Sequence, residues 1–114
     1  MSNPLKPIET ASAPTFSVQI CIAGDPSVAA QTCRKFCYDV GYCVTLTKTE
    51  YIYKGGQEAG VIIGLINYPR FPLSPIEILQ RAEMLGMLLM EDMFQQSFSI
   101  VTPADTVWYS RRDA

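Results

Sequence analysis

Residues 16–41 read FSVQICIAGDPSVAAQTCRKFCYDVG and contain the signals of a strand followed by a helix. From Phe16 to Ile22, apolar residues alternate with Ser, Gln and Cys, which is the two-residue period of a strand with one buried face. Asp25 can cap the free amides of a helix start, and Pro26 fits the first helical position because its missing N–H is not needed there. Gly41 suits the left-handed position that ends a helix. The stretch therefore predicts a strand, a turn and a helix.

The remaining chain predicts a hairpin, a second helix and a second hairpin. Residues 42–53 are rich in strand-forming Thr, Tyr and Val, and Gly55-Gly56 predicts a tight reversal into the apolar run 61–66. Ser74 and Glu77 have the spacing of a capping box at the start of the second helix. The core stripe of that helix is predicted at Ile76, Leu79, Ala82, Gly86, Leu89 and Met93.

Residues 97–101 and 106–109 alternate again and predict the last hairpin. The order strand, helix, hairpin, helix, strand with right-handed crossovers predicts a ferredoxin-like βαββαβ fold of the α+β class. Its antiparallel sheet carries both helices on one face and ends in a C-terminal β-hairpin.

One domain is expected, because 114 residues are close to the commonest domain size. Residues 1–15 hold three prolines among Ser, Thr and Ala, and we expect a disordered N-terminal tail before a single domain at 16–114. The tail lacks the apolar core of a signal peptide or anchor. The sequence therefore predicts a cytoplasmic protein with no membrane partner.

Net charge and cysteine content indicate which classes of ligand the chain is not expected to bind. A net charge of −2 offers no field to attract a polyanion, so no nucleic acid partner is expected. Cys21, Cys33, Cys37 and Cys43 are expected to be reduced thiols that serve packing, with thiol chemistry as an alternative. Their spacing does not match a zinc knuckle, and we expect no metal and no cofactor.

The chain contains no histidine, which removes the usual general base and the Ser-His and Cys-His pairs. Carboxylate pairs remain at Glu91-Asp92 and at Glu50 with Glu58, and the first pair is expected to be solvated surface. The sequence thus predicts no catalytic residues and a protein that is not an enzyme.

Two segments have the character of interaction surfaces. Tyr68, Arg70 and Phe71 lie in a stretch stiffened by Pro69 and Pro72, so they are predicted to bind a partner, with a packed structural loop as the alternative.

Strand 61–66 is apolar on both faces, whereas two helices cover one face of the sheet. Ile62, Ile66 and Tyr68 are therefore predicted to form an oligomer interface, in the simplest case a homodimer.

Gly24, Asp25 and Ser27 are candidate ligand-binding residues, because a helix start presents free amides. Residues 22–46, with a strand, this turn, a helix and a second strand, resemble the first half of an ACT regulatory domain. That family holds an amino acid at the loop after its first strand. The resemblance implies a small-molecule binding or sensing domain.

The strings NYPRFP at 67–72, CRKFC at 33–37 and CVT at 43–45 resemble small uncharacterised proteins of bacteriophages and prophages of proteobacteria. This resemblance implies no catalytic residues. The function predicted is a small non-enzymatic protein–protein interaction module. It would be phage-encoded, would bind and modulate a host protein, and would act as a homo-oligomer. The ACT-like sensing domain is the alternative.

Overall fold

The computed structural model describes residues 5–112. It contains five strands and two helices, whose bounds follow the chain order. They are β1 Ser17–Ala23, α1 Pro26–Val40, β2 Thr45–Tyr53, β3 Gly56–Ile66, α2 Pro75–Asp92, β4 Ser97–Val101 and β5 Thr106–Ser110.

The strands form one antiparallel sheet in the order β2-β3-β1-β4-β5, with both helices packed on the same face. Strand β1 lies in the centre, between β3 and β4, which is the arrangement that two βαβ crossovers produce. Strand β5 pairs with β4 and extends the sheet by one edge strand. The α+β, ferredoxin-like fold with a C-terminal hairpin is confirmed.

Both predicted helix starts are present in atomic detail. The Asp25 carboxylate accepts a hydrogen bond from the Ser27 amide at 2.8 Å, and Gly41 ends α1 in the left-handed region at φ 69°. At α2, the Glu77 amide donates to the Ser74 hydroxyl while the Glu77 carboxylate accepts from the Ser74 amide. These contacts satisfy amides that would otherwise lack partners in the first helical turn.

Two boundaries differ from the sequence prediction. Strand β2 begins at Thr45 rather than at residue 42, because the Tyr42 amide still donates to the Cys37 carbonyl at the end of α1. Gly56 already pairs with Tyr53, so it belongs to β3 and not to the turn. Strand β3 is therefore longer than the apolar run that predicted it.

The predicted core stripe of α2 is wrong at its first position. Ile76 is 65% exposed, whereas Ile78 and Leu85 are fully buried. Successive buried residues must lie three or four apart along a helix, and the stripe through Ile78, Ala82 and Leu85 keeps that spacing while facing the sheet.

The core lies between the helices and the inner face of the sheet. Every inner-face residue of β1 and the apolar half of β3 is buried, and Leu85 and Leu89 of α2 pack against them. The buried inner-face residues of β1, β3 and β4 are Val18, Ile20, Ile22, Val61, Ile63, Leu65, Phe98 and Ile100. Their packing fixes which side chains remain for the opposite face.

Residues 5–15 form no helix or strand, and the Asn67 side-chain amide donates to the Pro14 carbonyl at 2.8 Å. Disorder of residues 1–15 stays a prediction, and residues 1–4 lie outside the described part.

Neither α1 nor α2 is long and apolar enough to cross a membrane.

Candidate functional site

The outer face of the sheet, which the helices leave uncovered, carries small polar side chains. Strand register aligns one row of residues across all five strands. In sheet order this row is Thr47, Ile62, Cys21, Ser99 and Trp108. Because Cys21 and Ser99 are small, the row leaves open space above β1 and β4.

A cavity of about 220 Å³ opens on the outer face, near the end of β1 that leads into α1. Among the described residues that line it, Glu58 supplies the one carboxylate and Arg112 the one guanidinium. Its polar and aromatic lining consists of Cys21, Tyr51, Glu58, Gln95, Ser97, Ser99, Trp108 and Arg112. The cavity thus combines both signs of charge with hydrogen-bonding groups and an indole.

Tyr51 is held in place by a missing side chain on the neighbouring strand. Its ring lies over Gly60, where an added Cβ would collide with the ring and would come within 2.6 Å of the Ile22 carbonyl oxygen. The Tyr51 hydroxyl donates to the Val61 carbonyl at 2.8 Å. Gly60 therefore allows the tyrosine to cross β3 and reach β1.

Tyr51 and Cys21 are hydrogen-bond groups rather than bases in this cavity. Burial, followed by the nearby Cys21 thiol, raises the pKa of Tyr51 to about 12. Burial also raises the pKa of Cys21, against a smaller opposing effect of its hydrogen bond with Tyr51. Both groups keep their protons near neutral pH, so proton transfer by a lining side chain falls to Glu58.

Trp108 is presented outward because its neighbours fix β5. The Tyr109 ring stacks on Phe98 with centroids 4.7 Å apart, and its hydroxyl donates to the Glu83 carboxylate at 2.7 Å. Successive residues of a strand point to opposite faces. Since Tyr109 is anchored on the inner side, Trp108 must face outward, where it is 61% exposed.

The turn predicted to bind a ligand borders this cavity without entering it. The Gly24 amide donates to the Ala59 carbonyl at 2.8 Å, and the Asp25 carboxylate is engaged by the Ser27 amide. A Cβ at Gly24 would lie 3.3 Å from the Gln95 side-chain nitrogen, which itself lines the cavity. Ligand binding by Gly24, Asp25 and Ser27 stays a prediction.

The loop predicted to bind a partner lies at the opposite end of the sheet. Tyr68 contacts Tyr42 edge to face at 5.6 Å and Phe71 at 5.3 Å, measured between ring centroids. Arg81 lies 4.9 Å from the Tyr42 ring centre, while Arg70 is exposed. The loop is therefore partly packed, and a partner-binding role for Tyr68, Arg70 and Phe71 stays a prediction.

The three residues of the predicted oligomer interface do not all lie on the same face in the structure. Ile62 and Ile66 both face outward from β3, with Ile66 46% exposed and Ile62 half-buried. Strand β3 ends at Ile66, and the Tyr68 ring packs instead against the core cluster. Thr47 of β2 lies opposite Ile62, whereas Ile66 pairs with Ser17 of β1.

All four cysteines are free thiols. Cys33 is buried, and burial raises its pKa to about 11. Within residues 5–112, no three His, Cys, Asp or Glu side chains form a group that could hold a metal ion. Cys21 differs from the other three because it lines the outer-face cavity.

Most residues that line the outer-face cavity were not predicted from the sequence. Glu58 was weighed with Glu50, but Glu50 pairs with Ala59 and the two carboxylates point to opposite faces. Gly60 was the available signal, because an isolated glycine within a strand marks close approach of another group. Tyr51 and Trp108 meet through strand register, while Gln95 lies just before β4 and Arg112 just after β5. The spacing of the sequence does not reveal this arrangement.

Two solved structures match this chain over nearly its whole length. A phage SAM lyase in the apo state has 18% sequence identity and a TM-score of 0.68, and the alignment covers 98% of this chain and 99% of that chain. A phage SAM lyase in complex with S-methyl-5′-thioadenosine has 18% identity and a TM-score of 0.65, covering 92% and 96%. No family model and no curated protein matches the chain.

At this identity the likeness establishes the fold. It also contradicts two predictions from the sequence, because the matched proteins are enzymes. The predictions of a non-enzymatic interaction module and of a protein that is not an enzyme are wrong. The ACT-like sensing domain gains no support. The absence of histidine excludes only reactions that need an imidazole, so it did not justify the prediction that the chain is not an enzyme.

Proposed function

We propose that this chain cleaves S-adenosylmethionine (SAM) and releases S-methyl-5′-thioadenosine. The observation that carries the proposal is the full-length structural likeness to phage SAM lyases. The outer-face cavity supports it independently, because its lining has the chemistry that a zwitterionic sulfonium compound requires. The likeness to phage proteins further supports a phage origin, and the four free thiols support a place in the cytoplasm.

The reaction breaks the bond between the sulfonium sulfur and the γ-carbon of the amino acid chain. Both electrons of that bond go to sulfur, which leaves as a neutral thioether. The γ-carbon forms a new bond in place of the broken one in one of two ways. The substrate's own carboxylate oxygen forms a new C–O bond and closes a lactone, or a neighbouring carbon loses a proton and a C=C bond forms.

Neither route needs a histidine. The leaving group carries a positive charge before the reaction begins, so no acid has to protonate it as it departs. Internal attack uses a nucleophile that the substrate supplies, and its effectiveness depends on orientation. Only proton loss needs a base, for which Glu58 is the available carboxylate in the cavity.

The charged groups of the cavity match the two ends of the amino acid portion. Glu58 would hold the sulfonium or the α-ammonium, and Arg112 would hold the α-carboxylate through its planar guanidinium. Tyr51, whose hydroxyl donates to the Val61 carbonyl, stays neutral and forms the wall of the cavity beside Glu58. The chain's own contribution is therefore to hold and orient a reactive substrate.

A second copy of the chain would complete the site. About 220 Å³ is smaller than the roughly 300–1,000 Å³ of typical small-molecule pockets, and the cavity lies on an open sheet face. Ile62 and Ile66 offer apolar contact on the same face. We propose a homodimer or higher oligomer through this face.

Light scattering tests that assembly, with Ile62→Lys as the variant. A wild-type mass near the 12.7 kDa of one chain at micromolar concentration would contradict it. A shift from oligomer to monomer in Ile62→Lys is the expected result, because an unpaired charge would be buried at the contact.

The activity is tested by incubating purified protein with SAM and separating the products by liquid chromatography and mass spectrometry. The expected product is S-methyl-5′-thioadenosine, accompanied by homoserine lactone or its hydrolysis product on the first route and by vinylglycine on the second. Arg112→Gln should raise KM about 10-fold, through loss of a charge-assisted contact.

Arg111→Gln is the matched control, because Arg111 pairs with Glu91 at 2.7 Å and does not line the cavity. Its KM should stay within twofold of the wild type. Intact SAM after prolonged incubation with folded protein would exclude the proposed activity.

A further inference from the structure

We infer that Trp108 forms the purine-binding wall of the outer-face site. The inference rests on the proposed function and adds the group that selects a purine nucleoside over other sulfonium compounds. Trp108 is the one tryptophan of the chain and lines the same cavity as Glu58 and Arg112. The charged residues leave the purine of the substrate without a contact, and an exposed indole is the group that a planar base stacks on.

The neighbours of Trp108 leave its ring open. Ser99 lies directly opposite on β4, and Cys21 follows on β1. Two strand spacings of about 4.8 Å each separate Trp108 from β1, and the small side chains of Ser99 and Cys21 leave the space beside the indole open. A planar base can stack on the ring there without displacing a protein side chain.

The platform is rigid, which lowers the entropy lost on binding. Tyr109, the next residue, stacks on Phe98 of β4 and donates to Glu83 of α2. Val107, the residue before, pairs with Ile100 of β4. These contacts hold β5 on both sides of the indole. An exposed tryptophan on an unanchored strand would lack this support.

Exposure alone does not single out Trp108. Phe94 is 90% exposed and Tyr38 is 89% exposed, but neither lines the cavity with Glu58. Trp108 differs because a carboxylate, a guanidinium and hydroxyl groups share its cavity. The combination fits a purine nucleoside that bears a charged amino acid chain.

The single tryptophan makes the test direct, because all indole fluorescence reports on this one position. We expect S-methyl-5′-thioadenosine to quench the emission of the full-length chain in a saturable way, and adenine to do so more weakly. Methionine, which lacks the purine, should leave it unchanged. Calorimetry with the same compounds measures binding independently of fluorescence.

Trp108→Ala should weaken S-methyl-5′-thioadenosine binding about 10-fold or more, and Trp108→Phe should fall between the two. In the cleavage assay both variants should raise KM more than they lower kcat, since the purine is remote from the bond that breaks. Tyr38→Ala is the control, because it removes an exposed aromatic ring from α1, far from the site. Its affinity should match the wild type.

The outcomes separate this inference from the proposed function. Cleavage of SAM with unaltered affinity in Trp108→Ala overturns the purine wall and leaves the activity standing. Saturable quenching without cleavage supports the purine wall and overturns the activity. Calorimetric binding of S-methyl-5′-thioadenosine with no change in emission, or no binding at all, overturns the inference.

Discussion

The two faces of the five-stranded sheet carry opposite kinds of side chain. On the inner face, all eight residues of β1, β3 and β4 that meet the helices are at most 2% exposed. On the outer face, two serines, a cysteine, a tyrosine and a tryptophan line a cavity with one carboxylate and one guanidinium. Packing has therefore fixed one face of the sheet and has left the other free to carry chemistry.

The two faces should therefore respond differently to mutation. Inner-face changes should alter the free energy of unfolding and spare the activity of the molecules that remain folded. Outer-face changes should do the reverse. Four experiments test this division, in order of decreasing effect.

Leu85→Ala should lower the free energy of unfolding by about 3 kcal/mol, because it leaves a cavity between α2 and the sheet. Leu85 is fully buried. Denaturant titration measures the change. Met84→Ala, one residue away and 53% exposed, is the control and should cost about 0.5 kcal/mol or less. Equal losses in both variants would contradict the assignment of the inner face.

Glu58→Gln should lower kcat/KM for SAM about 100-fold, equivalent to about 2.7 kcal/mol, by removing the charge that faces the cationic substrate. Glu50→Gln is the matched control, since Glu50 lies on the same hairpin and points to the other face. Steady-state kinetics decides between them. Similar losses in the two variants would show that the outer-face cavity is not the site.

Gly60→Ala and Gly86→Ala apply the same substitution to the outer and inner faces of the sheet. Each adds one methyl group against an aromatic ring. At Gly60 the new Cβ meets the ring of Tyr51 on the outer face, and at Gly86 it meets the ring of Phe98 in the core. Crowding of this kind costs about 1–3 kcal/mol.

We expect Gly86→Ala to lower stability without changing kcat, because Phe98 packs in the core. Gly60→Ala should reduce activity about 10-fold by displacing Tyr51, and it should lower stability as well, because the new Cβ also meets the Ile22 carbonyl oxygen. Thermal melts and kinetics on the same preparations give both numbers. Loss of stability alone in Gly60→Ala would contradict a role for Tyr51 in the site.

The smallest effect concerns alkaline pH. The pKa of Tyr51 is raised to about 12 in the folded chain, so the unfolded state ionises first as pH rises above 10. Its contribution to stability is complete below pH 10 and is lost between pH 10 and about 12. Tyr51→Phe should show a shallower decline over this range in equilibrium unfolding. An unchanged slope would contradict burial of the phenol.

The same division explains what could be predicted from the sequence. Apolar residues at two-residue spacing, the Asp25 cap and the Ser74–Glu77 box predicted the strands, both helices and the fold, because local rules govern these elements. The turn was shifted by one residue because Gly56 satisfies strand pairing as well as turn geometry.

The local rules that predict strands and helices do not predict the candidate site. Glu58 and Trp108 lie 50 residues apart and are brought together by the pairing of β3 with β1, β1 with β4 and β4 with β5. No local pattern marks an exposed tryptophan or a carboxylate as functional. The absence of histidine then led to the wrong conclusion, because it excludes only reactions that need an imidazole.

The most direct test of the central claim is to map where a product binds. Amide chemical shifts of the isotope-labelled chain, recorded during titration with S-methyl-5′-thioadenosine, should change most at Cys21, Tyr51, Glu58, Ser99 and Trp108. Residues on the outer surfaces of α1 and α2 should change little. Shifts confined to the helices or to the loop at residues 67–72 would contradict a functional site on the outer face of the sheet.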